Sequence, residues 1–253
     1  MKRFYIIAAL AVATLAANAQ EKLALSTYNG TNLEKYDGKI CNVTVNRYVF
    51  NGWNTVALPF DITTEELNET FGNDCKLEQM VSVENVNGNI QLNFQDCKAG
   101  GLKANVPYLL YYTGATGNKK IVKEATISSE LPSLSFQTQQ GETVIMAGVQ
   151  EKTEGVGLYG ILARDNAEAK FAKVDGTLSG FLATRCYVQV PASFNGKVIS
   201  RHLAAGETTD IKAVAKTDEK VDVYNTNGVK VATSTQHLHP GIYVIKGQKV
   251  MVK

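Results

Sequence analysis

Apolar and polar residues alternate through short runs along most of this chain, as in "CNVTVNRYVF" at 41 to 50, "KLEQMVSVENV" at 76 to 86 and "KKIVKEATI" at 119 to 127. Side chains of a β-strand point to opposite faces in turn, so such a run writes one apolar face and one wet face. Further runs, "IQLNFQDC", "SLSFQT", "AKFAKVD", "FLATRCYVQV" and "KVISRHL", follow, and most end in Gly, Asn or Asp. They recur at intervals of roughly 8 to 12 residues with no alternation of strands and long helices. That pattern predicts an all-β protein: an antiparallel β-sandwich body with one short helix, followed by a small C-terminal β subdomain.

Two local signals are sharper than the rest. Asn87-Gly88 supplies the positive φ angles of a two-residue hairpin turn, so strands at 76 to 86 and 90 to 97 should pair antiparallel. In "TTEELNETFG", Thr63 and Glu66 form a capping box, Leu67 and Phe71 share a face, and Gly72 closes the end. Glu65, Glu66 and Asp61 are therefore explained by a helix start, where negative side chains are favoured.

The N-terminus reads as an export signal: Lys2 and Arg3, an apolar stretch from Phe4 to Ala17, then the small-x-small pattern Ala17-Asn18-Ala19. Residues 1–19 are thus expected to be cleaved, leaving a lead-in arm or strand at 20–38, the sandwich body at 39–206 and the terminal subdomain at 211–253. The apolar stretch is shorter than the roughly 20 residues of a spanning helix, and no later segment reaches that length. The whole chain has 26 basic and 24 acidic residues, and loss of Lys2 and Arg3 brings them level. A balanced chain has no electrostatic pull towards nucleic acid. The tail is Lys-rich, which marks it off from a net acidic body.

Four cysteines occur, Cys41, Cys75, Cys97 and Cys186. In an exported chain they can pair, and Cys75 with Cys97 is the candidate disulfide because these two flank the predicted hairpin. Buried thiols that pack as small hydrophobes are the alternative.

The tail resembles the C-terminal sorting domain of type IX secretion substrates. Val223, Tyr224 and Asn225 followed by Gly228 and Val231 match that family's strand, turn and strand, and Leu238, Gly241, Ile242, Tyr243, Lys249 and Val250 match its closing hairpin. The body also resembles secreted β proteins that carry such tails, through "GWNTVALPFDIT", "PYLL" and "ATRCYVQV". The resemblance implies export to the cell surface, the medium or the periplasm, with the export machinery as a partner. The tail is shorter than the full module and lacks its proline-containing opening motif, and an ordinary terminal β subdomain is the other reading.

No constellation specifies a reaction. His237 and His239 would share a strand face, but they precede Pro240-Gly241 in a turn with no acid or Cys beside them, and His202 belongs to the body. No Gly-x-Ser-x-Gly elbow is present, and the Gly-bearing segments at 114 to 118 and 155 to 160 lack the Lys and following helix of a phosphate loop. Neither a catalytic residue, a metal nor a cofactor is assigned. Trp53, Tyr108, Tyr111 and Tyr112 offer flat rings for stacking on sugars, against the alternative that they fill the core. The chain is therefore expected to be an exported, noncatalytic envelope or surface protein that acts by binding or adhesion to a host or envelope protein or a glycan. A carbohydrate-binding module and an unrecognised secreted enzyme are the alternatives.

Overall fold

The computed structural model describes residues 20–163, 169–175, 180–203, 212–214, 220–224, 230–238, 241–245 and 248–252. Thirteen strands of the body follow in order: β1 (Glu21–Leu25), β2 (Ile40–Val49), β3 (Gly52–Val56), β4 (Lys76–Val86), β5 (Asn89–Asp96), β6 (Tyr108–Tyr112), β7 (Gly117–Thr126), β8 (Ser133–Gln137), β9 (Thr143–Gly148), β10 (Tyr159–Ala163), β11 (Lys170–Lys173), β12 (Cys186–Gln189) and β13 (Val198–Leu203). They form three sheets, ordered β1-β2-β7, β13-β5-β4-β6-β3 and β11-β10-β12-β9-β8. The all-β, sandwich-like class read from the alternating runs is the one observed.

The β13-β5-β4-β6-β3 sheet is the middle layer because it feeds two separate cores. Val56, Leu77, Tyr108, Leu110 and Tyr112 pack with Val43, Val45 and Ile121 of the first sheet. Trp53, Met80, Phe94 and Leu109 pack instead with Val144, Met146 and Val188 of the third. A strand covered on both faces has no wet side to encode, which is why β3 is buried at all five positions and "YLLYY" of β6 is almost unbroken in its apolarity. The sandwich thus gains a third layer.

It is not antiparallel throughout. β1 pairs in parallel with β2, and β13 in parallel with β5. Parallel neighbours need a long crossover. Between β5 and β13 that crossover carries β6 to β12, and between β1 and β2 it carries a 3-10 turn at Glu34–Tyr36 whose Tyr36 is buried.

The hairpin forms where the turn signal lies, with Val86 opposite Asn89 and φ of 52° at Asn87 and 79° at Gly88. Positive φ at both central positions matches the twist of the flanking strands. The helix α1 (Thr64–Phe71) carries both arms of its capping box, Thr63 accepting from the Glu66 amide and Glu66 from the Thr63 amide, and it buries Leu67 and Phe71. Glu66 also meets Lys123 of β7 at 2.6 Å, so the acid fixes the helix to the first sheet as well as capping it. No helix among the described residues is long and apolar enough to cross a membrane.

In the tail, β14 (Lys212–Val214), β15 (Val223–Tyr224), β16 (Lys230–Ala232), β17 (Gly241–Ile245) and β18 (Gln248–Val252) make a sheet of their own, ordered β14-β18-β17-β15-β16. Val223, Leu238 and Ile245 are its buried centre, with Tyr243 against them. Among the motif positions, Gly241, Ile242 and Tyr243 lie on β17 and Lys249 and Val250 on β18, paired antiparallel. The leader at 1–19, Asn225, Gly228 and His239 lie outside the described residues.

All four cysteines are free thiols, which corrects the expected Cys75–Cys97 bridge. The β4–β5 register places Asp96 opposite Glu78, and Cys97 donates its backbone N–H to Leu77, so Cys97 faces Leu77 and Cys75 sits two residues further along. Burial pushes the Cys97 and Cys186 thiols up to about 12. Alkylation in denaturant without reductant, read by mass spectrometry, should show an adduct on all four; two adducts would mean a bridge. Unfolded thiols lose their proton near pH 9 while these two keep theirs, so they cost stability as pH rises from about 9 to 12. Cys97→Ala should flatten that fall in melting temperature.

Candidate ligand cleft

A charged side chain lies at the centre of the body. Arg47 points inward from β2, beside Val45 and Val49, and is 2% exposed. Its guanidinium donates to the Thr184 carbonyl at 2.5 Å, to the Thr184 hydroxyl at 3.3 Å and to the Thr55 carbonyl. One side chain therefore ties the first sheet to β3 of the middle sheet and to the segment entering β12 of the third. Burial, and then the charge of Arg185, lower the Arg47 pKa to about 9, so it is still a cation at neutral pH.

The residues it holds build the walls of a cleft. Thr184 has φ of 67°, a left-handed conformation that a β-branched residue rarely adopts. The Arg47 contacts hold it there together with its own amide, which donates to Val149 O at 2.7 Å, and its carbonyl, which accepts from the Ala57 amide at 3.1 Å, and the Cys186 amide donates to Thr55 Oγ1 at 2.9 Å. Arg185, between these two anchored residues, is turned outward. It gives one N–H to the Tyr48 carbonyl at 3.1 Å and sits 5.9 Å over the Phe50 ring. Asn54 fixes the opposite wall: its Nδ2 donates to Phe50 O and Gly52 O, each at 2.9 Å, and its Oδ1 accepts from the Phe50 amide at 3.0 Å. Every polar group of that side chain is thereby used to shape the β2–β3 turn that carries Phe50.

The result is a cleft of about 360 Å³ whose lining includes Tyr28, Phe50, Asn54, Lys173, Phe181 and Arg185. That volume is within the range of about 300–1,000 Å³ typical of small-molecule sites. Tyr28 is 59% exposed, and Tyr48, edge-on to Phe50 at 5.1 Å, is 45% exposed. Aromatic rings beside a guanidinium give flat apolar faces and directed hydrogen bonds in one place. A second cleft of about 720 Å³ includes Tyr159, Lys170, Phe171, Phe194, Lys197 and Ser200 in its lining, and it shares Ala172 and Lys173 with the first.

The aromatic residues singled out in the sequence are elsewhere. Trp53 is 2% exposed, stacked on His202 at 4.4 Å and tilted against Tyr111 at 5.0 Å. Tyr108 accepts from the Lys103 amide at 3.1 Å, and Tyr112 meets Phe71 edge-on. Trp53 and Tyr111 belong to one core, Tyr108 and Tyr112 to the other, so the four do not form one open face. Strand alternation divides them, and the third layer covers the side that would otherwise be wet. The residues that do line an open cleft, Tyr28, Phe50, Phe181 and Arg185, are scattered over some 150 positions of turns and strand ends, and each is unremarkable in its own segment.

A polar string was also missed. His202 Nδ1 lies 2.5 Å from Glu78 and its Nε2 lies 3.3 Å from Ser200 Oγ, an order of atoms shared with nucleophile–base–acid chains. The remaining contacts make it a structural tie. Ser200 donates to the Ala169 carbonyl at 2.5 Å, and the Ala169 amide donates to His202 Nε2 at 3.1 Å. The hydroxyl proton is turned away from the imidazole, and the basic nitrogen is occupied by backbone. With Nε2 accepting, Nδ1 carries the hydrogen shared with buried Glu78. The string fastens the start of β11 to β13 and β4.

Three consequences can be measured. Arg47→Lys keeps the charge but loses the fork, and unfolding in urea should show a loss of about 2 to 3 kcal/mol, the scale of a hydrogen bond made by a charged group. His202→Ala leaves Glu78 buried without its partner and should cost about 3 to 5 kcal/mol. Ser200 should remain unlabelled by a fluorophosphonate probe under conditions that label a serine hydrolase. No protein-family description, curated protein or solved structure matches this chain.

Proposed function

We propose that this is an exported protein of the cell envelope or surface that works by contact, holding its ligand in the cleft between Tyr28, Phe50, Phe181 and Arg185. The observation that carries the reading is the placement of Arg185. A buried arginine and a left-handed threonine hold its backbone, and an asparagine with no spare hydrogen bond holds the ring beneath it. Rigid support of this kind lowers the ordering cost of binding. The Ser200 and His202 atoms that would be needed for acyl transfer are engaged with Ala169, which favours binding over hydrolysis.

Aromatic rings beside hydrogen-bonding groups suit a sugar, so the ligand is a glycan and the cleft replaces the buried Trp53 as its platform. The leader and the tail supply the route: signal peptide first, then recognition of the sheet at 212–252 by the export machinery. Two measurements test these parts separately. On a glycan array, Arg185→Ala and Tyr28→Ala should each lower the signal at least tenfold with an unchanged melting temperature; no signal, or a signal indifferent to both, overturns the binding reading. In cell fractionation, a chain lacking residues 211–253 should fail to reach the compartment of the full chain, and equal delivery would overturn the sorting role.

A further inference from the structure

The outermost strands of the three body sheets are β1 and β7, β13 and β3, β11 and β8. Most of them are guarded. β1 carries Glu21 and Lys22, β7 carries Lys119, Lys120, Lys123 and Glu124, β11 carries Lys170 and Lys173, and β13 carries Arg201. β3 is uncharged but buried at every position. Charge and cover are the usual means by which a sheet edge avoids pairing with another chain. β8, "SLSFQ", has neither: Ser133, Ser135 and Gln137 are exposed, and no charged residue occurs between Glu130 and Glu142.

The β8–β9 register decides which groups stand at that edge. The Gly148 amide donates to the Pro132 carbonyl at 2.8 Å and the Thr138 amide to the Glu142 carbonyl at 2.9 Å, with Leu134 opposite Met146 and Phe136 opposite Val144 between them. Hydrogen-bonded and non-bonded pairs alternate in an antiparallel ladder, so Leu134 and Phe136 turn their amides and carbonyls to β9 while Ser133, Ser135 and Gln137 turn theirs away. Among the described residues no strand pairs with that side of β8. Leu134 and Phe136 pack against the core between the middle and third sheets and stay only partly buried. The hairpin that presents the strand is fixed by the Thr138 hydroxyl, which donates to the Glu142 carboxylate at 3.0 Å.

We propose that β8 pairs antiparallel with β8 of a second copy of this chain, joining the two third sheets into one continuous sheet. Pairing over the whole strand places the two-fold axis at Ser135. Ser135 then exchanges backbone hydrogen bonds with its own copy, Ser133 with Gln137, and Leu134 lies opposite Phe136 on the inner face, an aliphatic–aromatic pair of the kind that stabilises neighbouring strands. The occupant is a second copy because the strand is complementary to itself: a small neutral side chain sits where it must meet its own image, and the two large apolar ones meet each other. β7, with three lysines and one acid, would repel its own copy. Leu131, 75% exposed just before Pro132, adds apolar surface at each end of the pairing. β11, which lines both clefts, is the opposite edge of the same sheet, so the dimer leaves the clefts open and carries them in duplicate.

Sedimentation velocity of the mature protein from about 1 μM to about 1 mM should show monomer giving way to dimer. A monomer throughout overturns the proposal, and so do species larger than a dimer, because a two-fold pairing uses the edge of both copies. Ser135→Pro removes an outward amide that β9 does not use, so it should leave a monomer whose melting temperature in dilute solution is unchanged. Ser135→Lys opposes two charges at the axis and should weaken the dimer at least tenfold, with part of the loss recovered in high salt. If the proline variant fails to fold, the lysine variant decides. Ser135→Cys brings two thiols together on Cα atoms about 5.5 Å apart, within disulfide range, and mild oxidation should give a covalent dimer linked through that position in both copies. A dimer indifferent to Ser135→Lys, or an oxidised Ser135→Cys dimer without that link, means that another surface is used and overturns the β8 pairing.

Discussion

A guanidinium without a carboxylate holds the three layers in register. Burying a lone cation is costly, and the lowered pKa of Arg47 registers that cost. The side chain stays charged because the carbonyls of Thr55 and Thr184, which have no water to turn to, are among the strongest neutral partners available to it. A hydrophobic residue there would remove the guanidinium from both carbonyls and leave the turn at Thr184 to its backbone bonds with Ala57 and Val149. The same contact that costs solvation energy thus defines a backbone conformation that packing alone does not enforce. Arg185 inherits its direction from it.

Much of the fold could be read from periodicity because most strands have one covered and one open face. β2, with its strict alternation, and β7, with Val122 exposed opposite Thr44, follow the rule. The rule fails where the middle sheet is covered twice. β6 is apolar on both faces and β3 is buried throughout although it carries Asn54 and Thr55, which one dimension cannot distinguish from an aromatic platform, and so Trp53 and Tyr111 could be read either way until the third layer covered them. The hairpin and the capping box were legible for a different reason: both are closed by atoms within a few residues of one another, so no distant element can overrule them.

The cleft was illegible for the converse reason. Its rings and cations come from the arm before β2, the β2–β3 turn, β11 and the approach to β12, and only the long crossovers bring these together. Nothing in "RYVFNG" marks Phe50 as a wall, because its role depends on Asn54 four residues on and on an arginine 135 positions later. His202 had a similar fate. Its pairing with Glu78 crosses 124 positions, and the parallel placement of β13 against β5 makes it possible. The disulfide expectation failed on register alone: flanking a hairpin brings two cysteines near, but a two-residue offset sets Cys97 against Leu77.

These failures share a pattern that bears on function. Two buried polar sets join distant elements of this protein, Arg47 with Thr55 and Thr184, and Glu78 with His202, Ser200 and Ala169. Each set joins elements from different sheets, and the terminal nitrogens of Arg47 and the Ser200 hydroxyl are spent on backbone carbonyls. Such sets specify a unique arrangement of layers more sharply than apolar contact does, because a slip of one residue would strand a charge. A scaffold whose buried arginine and glutamate are tied to backbone or to a neighbouring side chain holds the turn that carries Arg185 in one place, and a preformed cleft lowers the ordering cost of binding.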